Sequence, residues 1–247
     1  MQYKQKLEDD GYIILKGFFD ASYVSKIKER AQEIFNIQFT KFNYQGEFID
    51  NMIKLFTEHE EIFINCGKII QSGLIELYEL PTNSKLVELI KELGIDFPNL
   101  CTRPVLYFNH PSLAKSEVYY KTPPHQDWPS MLSSSDSIVV WVPLVDVDDQ
   151  NGSIIIWPGS HKMGVLPHNL VGGFANVDVN GDTIQPKLST GDIVIFSTFL
   201  VHASGDIVNN TIRWSCHYRY TNMYDKDFID RGFPNPYIYK PITKNEV

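Results

Sequence analysis

A layer of helices packed on an antiparallel β-core is the fold class predicted by this chain of 247 residues. Three observations carry it. Apolar residues recur at helical spacing mostly in about the first 97 residues. Beyond Phe97, short β-rich runs are separated by Pro, Gly, Asn and Asp. Helices precede strands, without the strand–helix alternation of a parallel α/β sheet. Helices that cover one sheet share its core, so residues 1–247 read as a single domain. Its part over about 1–97 is helix-rich, and its β-core spans about 98–225.

Each element has its own signal. Gly11-Tyr12-Ile13-Ile14-Leu15 reads as a strand running into Gly17-Phe18-Phe19. Residues 23–37 place Val24, Ile27, Ala31, Ile34 and Phe35 at helical spacing, with charged residues between them. A second helix is expected over 58–78. A third covers 84–93 and stops at Gly94, a C-cap residue. Strands are expected at 105–108, 138–142, 153–157, 193–196 and 212–220, the pattern of an antiparallel sandwich or barrel. Residues 162–186 are rich in Gly, Asn and Asp and read as a long connection with room for one short hairpin.

Composition narrows the partners. The hydrophobic share of 43% and charged share of 21% are those of a soluble globular protein, and the formal net charge is -8. An acidic surface without a Lys/Arg run argues against nucleic acid. No segment approaches about 18 uncharged apolar residues, so no membrane span is expected. The opening MQYKQKLEDDGYIIL lacks the basic start and apolar stretch of a secretory signal. Three scattered cysteines, Cys66, Cys101 and Cys216, fit core positions in a reducing cytoplasm. Nothing in the pattern calls for an obligatory protein partner.

The chemistry concentrates in His125-Gln126-Asp127, His202 and Arg213. Pro123 and Pro124 favour an extended approach, and in an extended segment residues i and i+2 point to one side. His125 and Asp127 are thus expected to reach one ion, with Gln126 turned away unless the strand ends there. His202 follows near the end of a strand fed by the Gly191-Asp192 turn. Two histidines and one carboxylate hold non-haem Fe(II) on one face and leave the opposite positions open, although the same ligands suit Zn, Mn or Ni. Arg213 discriminates. In the strand at 212–220, Ile212, Trp214, Cys216, Tyr218 and Tyr220 share one face, and Arg213, Ser215, His217 and Arg219 the other. With a histidine upstream, that polar face is expected to line a cavity. Arginine is the side chain suited to two-pronged carboxylate capture.

Five segments resemble the phytanoyl-CoA dioxygenase family of Fe(II)/2-oxoglutarate oxygenases. They are EDDGYIILKGFF near the N-terminus, HQDW at 125–128, NGSIIIWPGSHKMG at 151–164, GDIVIF at 191–196 and VHASG at 201–205, with Arg213 after them. The resemblance implies a mainly β fold with flanking helices around a double-stranded β-helix core, the jelly-roll or cupin-like fold. It implies Fe(II) at His125, Asp127 and His202, with 2-oxoglutarate and O2 as cosubstrates. Arg213 would hold the far carboxylate of 2-oxoglutarate, with Ser204, Trp141 and Gln126 beside it. The implied reaction oxidises a small molecule, most simply by hydroxylation, and releases succinate and CO2. A carboxylate at Asp127 disfavours the halogenating variant of this chemistry, which replaces that ligand with a small residue. His161 is expected to be structural. Trp128, His217 and Arg219 are candidate substrate contacts, and the segment 231–237 is either a cover or a packed tail. No basic cluster suits a coenzyme A tail, so that substrate is not carried over. The competing readings are a cupin-like metalloenzyme that does not use 2-oxoglutarate and a non-catalytic metal-binding member.

Overall fold

Residues 2–116, 120–171 and 174–234 are described by the computed structural model. Helix α1 (Gln2–Asp10) leads into strand β1 (Tyr12–Leu15). It buries none of its side chains, so it has no apolar stripe by which the sequence could announce it. Helix α2 (Ala21–Lys41) begins where the Asp20 carboxylate accepts from the Ser22 amide at 2.8 Å. Its buried side is the expected one, Val24, Ile27, Ala31 and Phe35, extended by Phe39.

Helices α3 (Phe48–Glu58), α4 (Glu60–Gly73), α5 (Ile75–Glu79) and α6 (Ser84–Glu92) follow. The expected single helix over 58–78 is divided. Glu58 ends α3, and the backbone opens at His59 (ψ 55°) and at Leu74 (ψ 112°). Apolar periodicity runs through both breaks, which is why it did not reveal them. The stop after α6 is as expected, with Gly94 at a φ of 105°.

Strands β2 (Pro98–Leu100), β3 (Val105–Asn109), β4 (Ile138–Pro143), β8 (Ile193–Ser197) and β10 (Arg213–Asn222) join β1 in one antiparallel sheet. Its order is β1-β8-β4-β10-β2, and β3 pairs with β10 beside β2. A second layer holds β5 (Ile154–Ile156) paired with β9 (His202–Ser204). It also holds β6 (His168–Val171) paired with β7 (Phe174–Val177), the hairpin for which residues 162–186 left room. His125 joins the two pairs, bridging to Asn176 in β7 and to His202 in β9.

Alternation in the main sheet divides the interior in two. Ile138, Val140 and Val142, with Ile193, Ile195, Trp214, Cys216, Tyr218 and Tyr220, point to the helices and form the larger core. Val139, Trp141, Val194 and Phe196 point to the second layer and meet Ile154, Ile156, Leu188 and Leu200. Both faces of β4 and β8 are apolar because both are covered. On β10 the face toward the second layer is polar, and the site forms there.

Candidate metal centre

His125, Asp127 and His202 are buried, and their ligand atoms lie within 4.8 Å of one another. Two of them are fixed by a single pairing. The His125 amide donates to the His202 carbonyl at 3.0 Å, and the His202 amide donates back at 3.1 Å. Each Nδ1 meets a carbonyl, that of Pro123 for His125 at 2.8 Å and that of Leu200 for His202 at 3.1 Å. A carbonyl only accepts, so Nδ1 carries the proton and Nε2 keeps its lone pair for a ligand.

The third ligand arrives differently from the expectation. Asp127 is not extended: its φ of -77° and ψ of -33° begin helix α7 (Trp128–Met131). The amides of Asp127 and Trp128 both donate to the Thr198 carbonyl at 3.0 Å. That turn, rather than strand alternation, brings Asp127 Oδ1 to 3.8 Å from His125 Nε2.

The electrostatics suit a cation. Burial, and then neighbouring His202, push His125 down to about 3. Burial also lowers His202. Both imidazoles are therefore neutral at pH 7, so a metal displaces no proton from them. Burial alone would raise the Asp127 carboxyl. The Arg219 guanidinium beside it outweighs burial and holds Asp127 below the ordinary carboxylate range. Two neutral imidazoles and one carboxylate within reach of one point fit a divalent ion and leave part of its shell open.

A narrow cleft opens beside the triad and includes Arg213, Ser204, Trp141, His217 and Arg219 in its lining. Arg213 is 5% exposed. It donates to the Gly152 carbonyl at 2.9 Å and to Asn109 Oδ1 at 2.8 Å, while its Nε has no partner. These acceptors are neutral, and no carboxylate among the described residues pairs with it. Burial accordingly lowers it to about 10. Gly152 allows the close approach, since a Cβ there would lie 3.2 Å from Arg213 Cδ. Arg219 donates to both carboxylate oxygens of Asp127, at 3.3 and 3.4 Å. His217 lies edge-on to Tyr107 at 4.7 Å and to Trp141 at 6.2 Å.

Two expected contacts lie elsewhere. The Gln126 amide nitrogen donates to the carbonyls of Gly164 and Phe199 at 2.8 and 2.6 Å, and its oxygen accepts from the Leu166 amide at 2.9 Å. Its side chain is fully used in joining segments behind the ligands, so it does not reach the cleft. Trp128 stacks on Phe199 at 5.2 Å and donates to the Ser133 carbonyl at 3.1 Å, also outside the lining. His161 meets the Glu8 carbonyl at 3.0 Å, a structural contact. Of the segment 231–237, Arg231 donates to the carbonyls of Leu132 and Ser133 at 3.0 and 2.7 Å; positions 235–237 lie outside the described residues. Tyr107 and Thr122 line the cleft and were not expected to. For Tyr107 a signal existed, because it alternates on β3 with Asn109, the partner of Arg213.

Comparison with known proteins points the same way. The family model described as phytanoyl-CoA dioxygenase (PhyH) matches residues 7–215. Peroxisomal phytanoyl-CoA dioxygenase of Bos taurus is 21% identical over 91% of this chain and 69% of its own length. Among solved structures, the epimerase SnoN in complex with Fe3+, alpha ketoglutarate and nogalamycin RO covers 99% of this chain and 96% of its own. Its TM-score is 0.63 at 17% identity. EctD from S. alaskensis, solved with 2-oxoglutarate and 5-hydroxyectoine, covers 91% of this chain and 77% of its own, with a TM-score of 0.59 at 14% identity.

Proposed function

Because the chain belongs to the phytanoyl-CoA dioxygenase family, we propose that it holds Fe(II) at His125, Asp127 and His202 and 2-oxoglutarate at Arg213, and hydroxylates a small molecule. The chain is an Fe(II)- and 2-oxoglutarate-dependent oxygenase. The observation that carries the residue assignment is Arg213, a buried cation beside the triad whose partners here are neutral acceptors. An unpaired buried charge is costly, and a bound carboxylate removes that cost. Two antiparallel layers facing each other across the site support a double-stranded β-helix within one domain. Three buried cysteines are in keeping with a cytoplasmic setting. Among the described residues, no helix is long and apolar enough to cross a membrane.

Bound iron with 2-oxoglutarate and O2 supplies the oxidation, with succinate and CO2 as the co-products. The chain's residues do the rest. His125 and His202 present Nε2 because Pro123 and Leu200 occupy their Nδ1 protons. Arg213, set by Asn109 and Gly152, orients the far carboxylate of the cosubstrate, with the Ser204 hydroxyl and the Trp141 ring beside it in the cleft. Val139, Ile156, Val194 and Phe196 close the space behind with apolar surface, which keeps water from the reacting atoms.

The test is anaerobic. Fe(II) and then 2-oxoglutarate are added to metal-free protein while the weak visible charge-transfer band of the chelated keto acid is followed. The band appears, and in Arg213→Ala it requires far more 2-oxoglutarate with little change in iron affinity. Iron binding without a band would favour a metalloenzyme that does not use 2-oxoglutarate.

A further inference from the structure

The cleft contains a second cation, and the proposed cosubstrate does not account for it. Arg219 lies on the same face of β10 as Arg213, six residues further along. At a rise of about 3.3 Å per residue, roughly 20 Å of strand separates their Cα atoms. One anion the size of 2-oxoglutarate does not need both. Arg219 is 11% exposed at its side chain, and its carboxylate partner among the described residues is Asp127.

That partner is the proposed iron ligand. An Fe(II) ion, the Asp127 carboxylate, Arg213 and a 2-oxoglutarate dianion together cancel in charge. Arg219 is then a near-buried cation whose counter-charge is shared with the metal, and such a cation needs a further anion. The groups around Arg219 are suited to receive one. Tyr107 lines the cleft beside it. Next to it along the same face, His217 has both ring nitrogens buried without a partner. A neutral imidazole there offers one N–H donor and one acceptor, and among the described residues neither is used.

We infer that Tyr107, His217 and Arg219 form the substrate subsite for an anionic group, a carboxylate in its simplest form, and that Arg219 is the residue selecting acidic substrates. This rests on the iron and 2-oxoglutarate reading of the same cleft. Arg219 supplies the charge and His217 a hydrogen bond, with Tyr107 lining the subsite against the His217 ring. Held at that end, the substrate places its neighbouring carbons at the triad, opposite the Arg213 end.

The experiment uses the enzyme loaded anaerobically with Fe(II) and 2-oxoglutarate. Linear monocarboxylates from acetate to dodecanoate, and the matching primary amides, are titrated against it. Binding is read by calorimetry and by the shift of the visible charge-transfer band. At least one acid is expected to shift the band and to bind about tenfold or more tightly than its amide, as a hydrogen-bonded charge requires. Arg219→Gln erases that preference, Arg219→Lys keeps most of it, and His217→Phe weakens the acid while retaining a ring against Tyr107 and Trp141. If Arg219→Gln fails to fold, Arg219→Lys and His217→Phe carry the test. Acids and amides binding alike, no acid binding at all, or an acid preference that survives in Arg219→Gln would each overturn the inference. In that last case Arg219 only orients Asp127. Absence of the band in the wild-type enzyme with iron bound would instead refute the cosubstrate reading, so the two failures are told apart.

Discussion

The two faces of strand β10 do opposite work, one buried throughout and the other buried at Arg213 and Ser215 and partly so at His217 and Arg219. Toward the helices it turns Trp214, Cys216, Tyr218 and Tyr220 into the larger core. Toward the second layer it turns Arg213, Ser215, His217 and Arg219, of which three line the cleft. Hydrophobic burial accounts for the first face. The second holds most of the strand's buried groups whose hydrogen-bonding capacity is unfilled, Arg213 Nε, the Ser215 hydroxyl and both nitrogens of His217, against the Tyr218 hydroxyl alone on the first. Unfilled polar groups cost stability. One strand therefore carries a face that stabilises the fold and a face that the fold tolerates because ligands complete it.

That contrast can be broken from either side. The largest effect is expected from Arg213→Met. Removing the proposed carboxylate partner costs about 2–5 kcal/mol of cosubstrate binding, or about thirtyfold or more in the KM for 2-oxoglutarate. The same substitution removes an unpaired buried charge, so the metal-free variant melts no lower than wild type. A large fall in Tm would show that the polar face is structural after all. Next is Trp214→Ala on the opposite face, where the side chain is 2% exposed. It should cost about 3–5 kcal/mol of stability in denaturant titrations, while folded protein keeps its affinity for 2-oxoglutarate at low temperature.

Acid sharpens the comparison further. Burial lowers His125 to about 3 and also lowers His202 and His217. Below the ordinary histidine value of 6.5, the unfolded chain takes up protons that the folded chain refuses. Stability of the metal-free protein is thus complete above about pH 6.5 and falls as pH drops toward about 3. Each such imidazole contributes up to about 1.4 kcal/mol per pH unit. Thermal melts across that window give the slope, and a flat profile would mean that these rings are protonated in the fold. The smallest effect is expected from Gly152→Ala. At a φ of 84° and with Arg213 Cδ 3.2 Å from the new Cβ, it costs about 1–2 kcal/mol and shifts the KM for 2-oxoglutarate severalfold.

Much of this was legible in the chain. Period-two alternation identified the β10 faces, because the pleat makes alternation and facing the same thing. Histidine–x–aspartate, a later histidine and an arginine named the three clustered residues and the buried cation beside them. What was illegible depended on contacts distant in sequence. Helix α3 follows Glu47, whose side chain makes no capping bond, and so it lacks a start signal. Asp127 reaches the centre by a turn anchored on Thr198, far along the chain, and not by the alternation that suggested it. Gln126 sits between two ligands, yet its position is decided by Gly164, Leu166 and Phe199. No local pattern reports such partners. The segment at 151–164, one of the five that carry the resemblance, is largely scaffold: Gly152 seats Arg213, and Ser160 Oγ accepts the Val201 amide at 2.9 Å, just ahead of His202.

The reciprocal amide bonds between His125 and His202 have a consequence for how the protein meets its metal. Two of three donors are already registered by the sheet ladder, with their tautomers chosen, before any ion arrives. Little conformational entropy remains to be spent on capture. Loading is therefore a docking event on a finished framework, unlike the metal-driven folding of small zinc domains. Chelation should empty the site without unravelling the sheets, and added iron should refill it within the time of mixing.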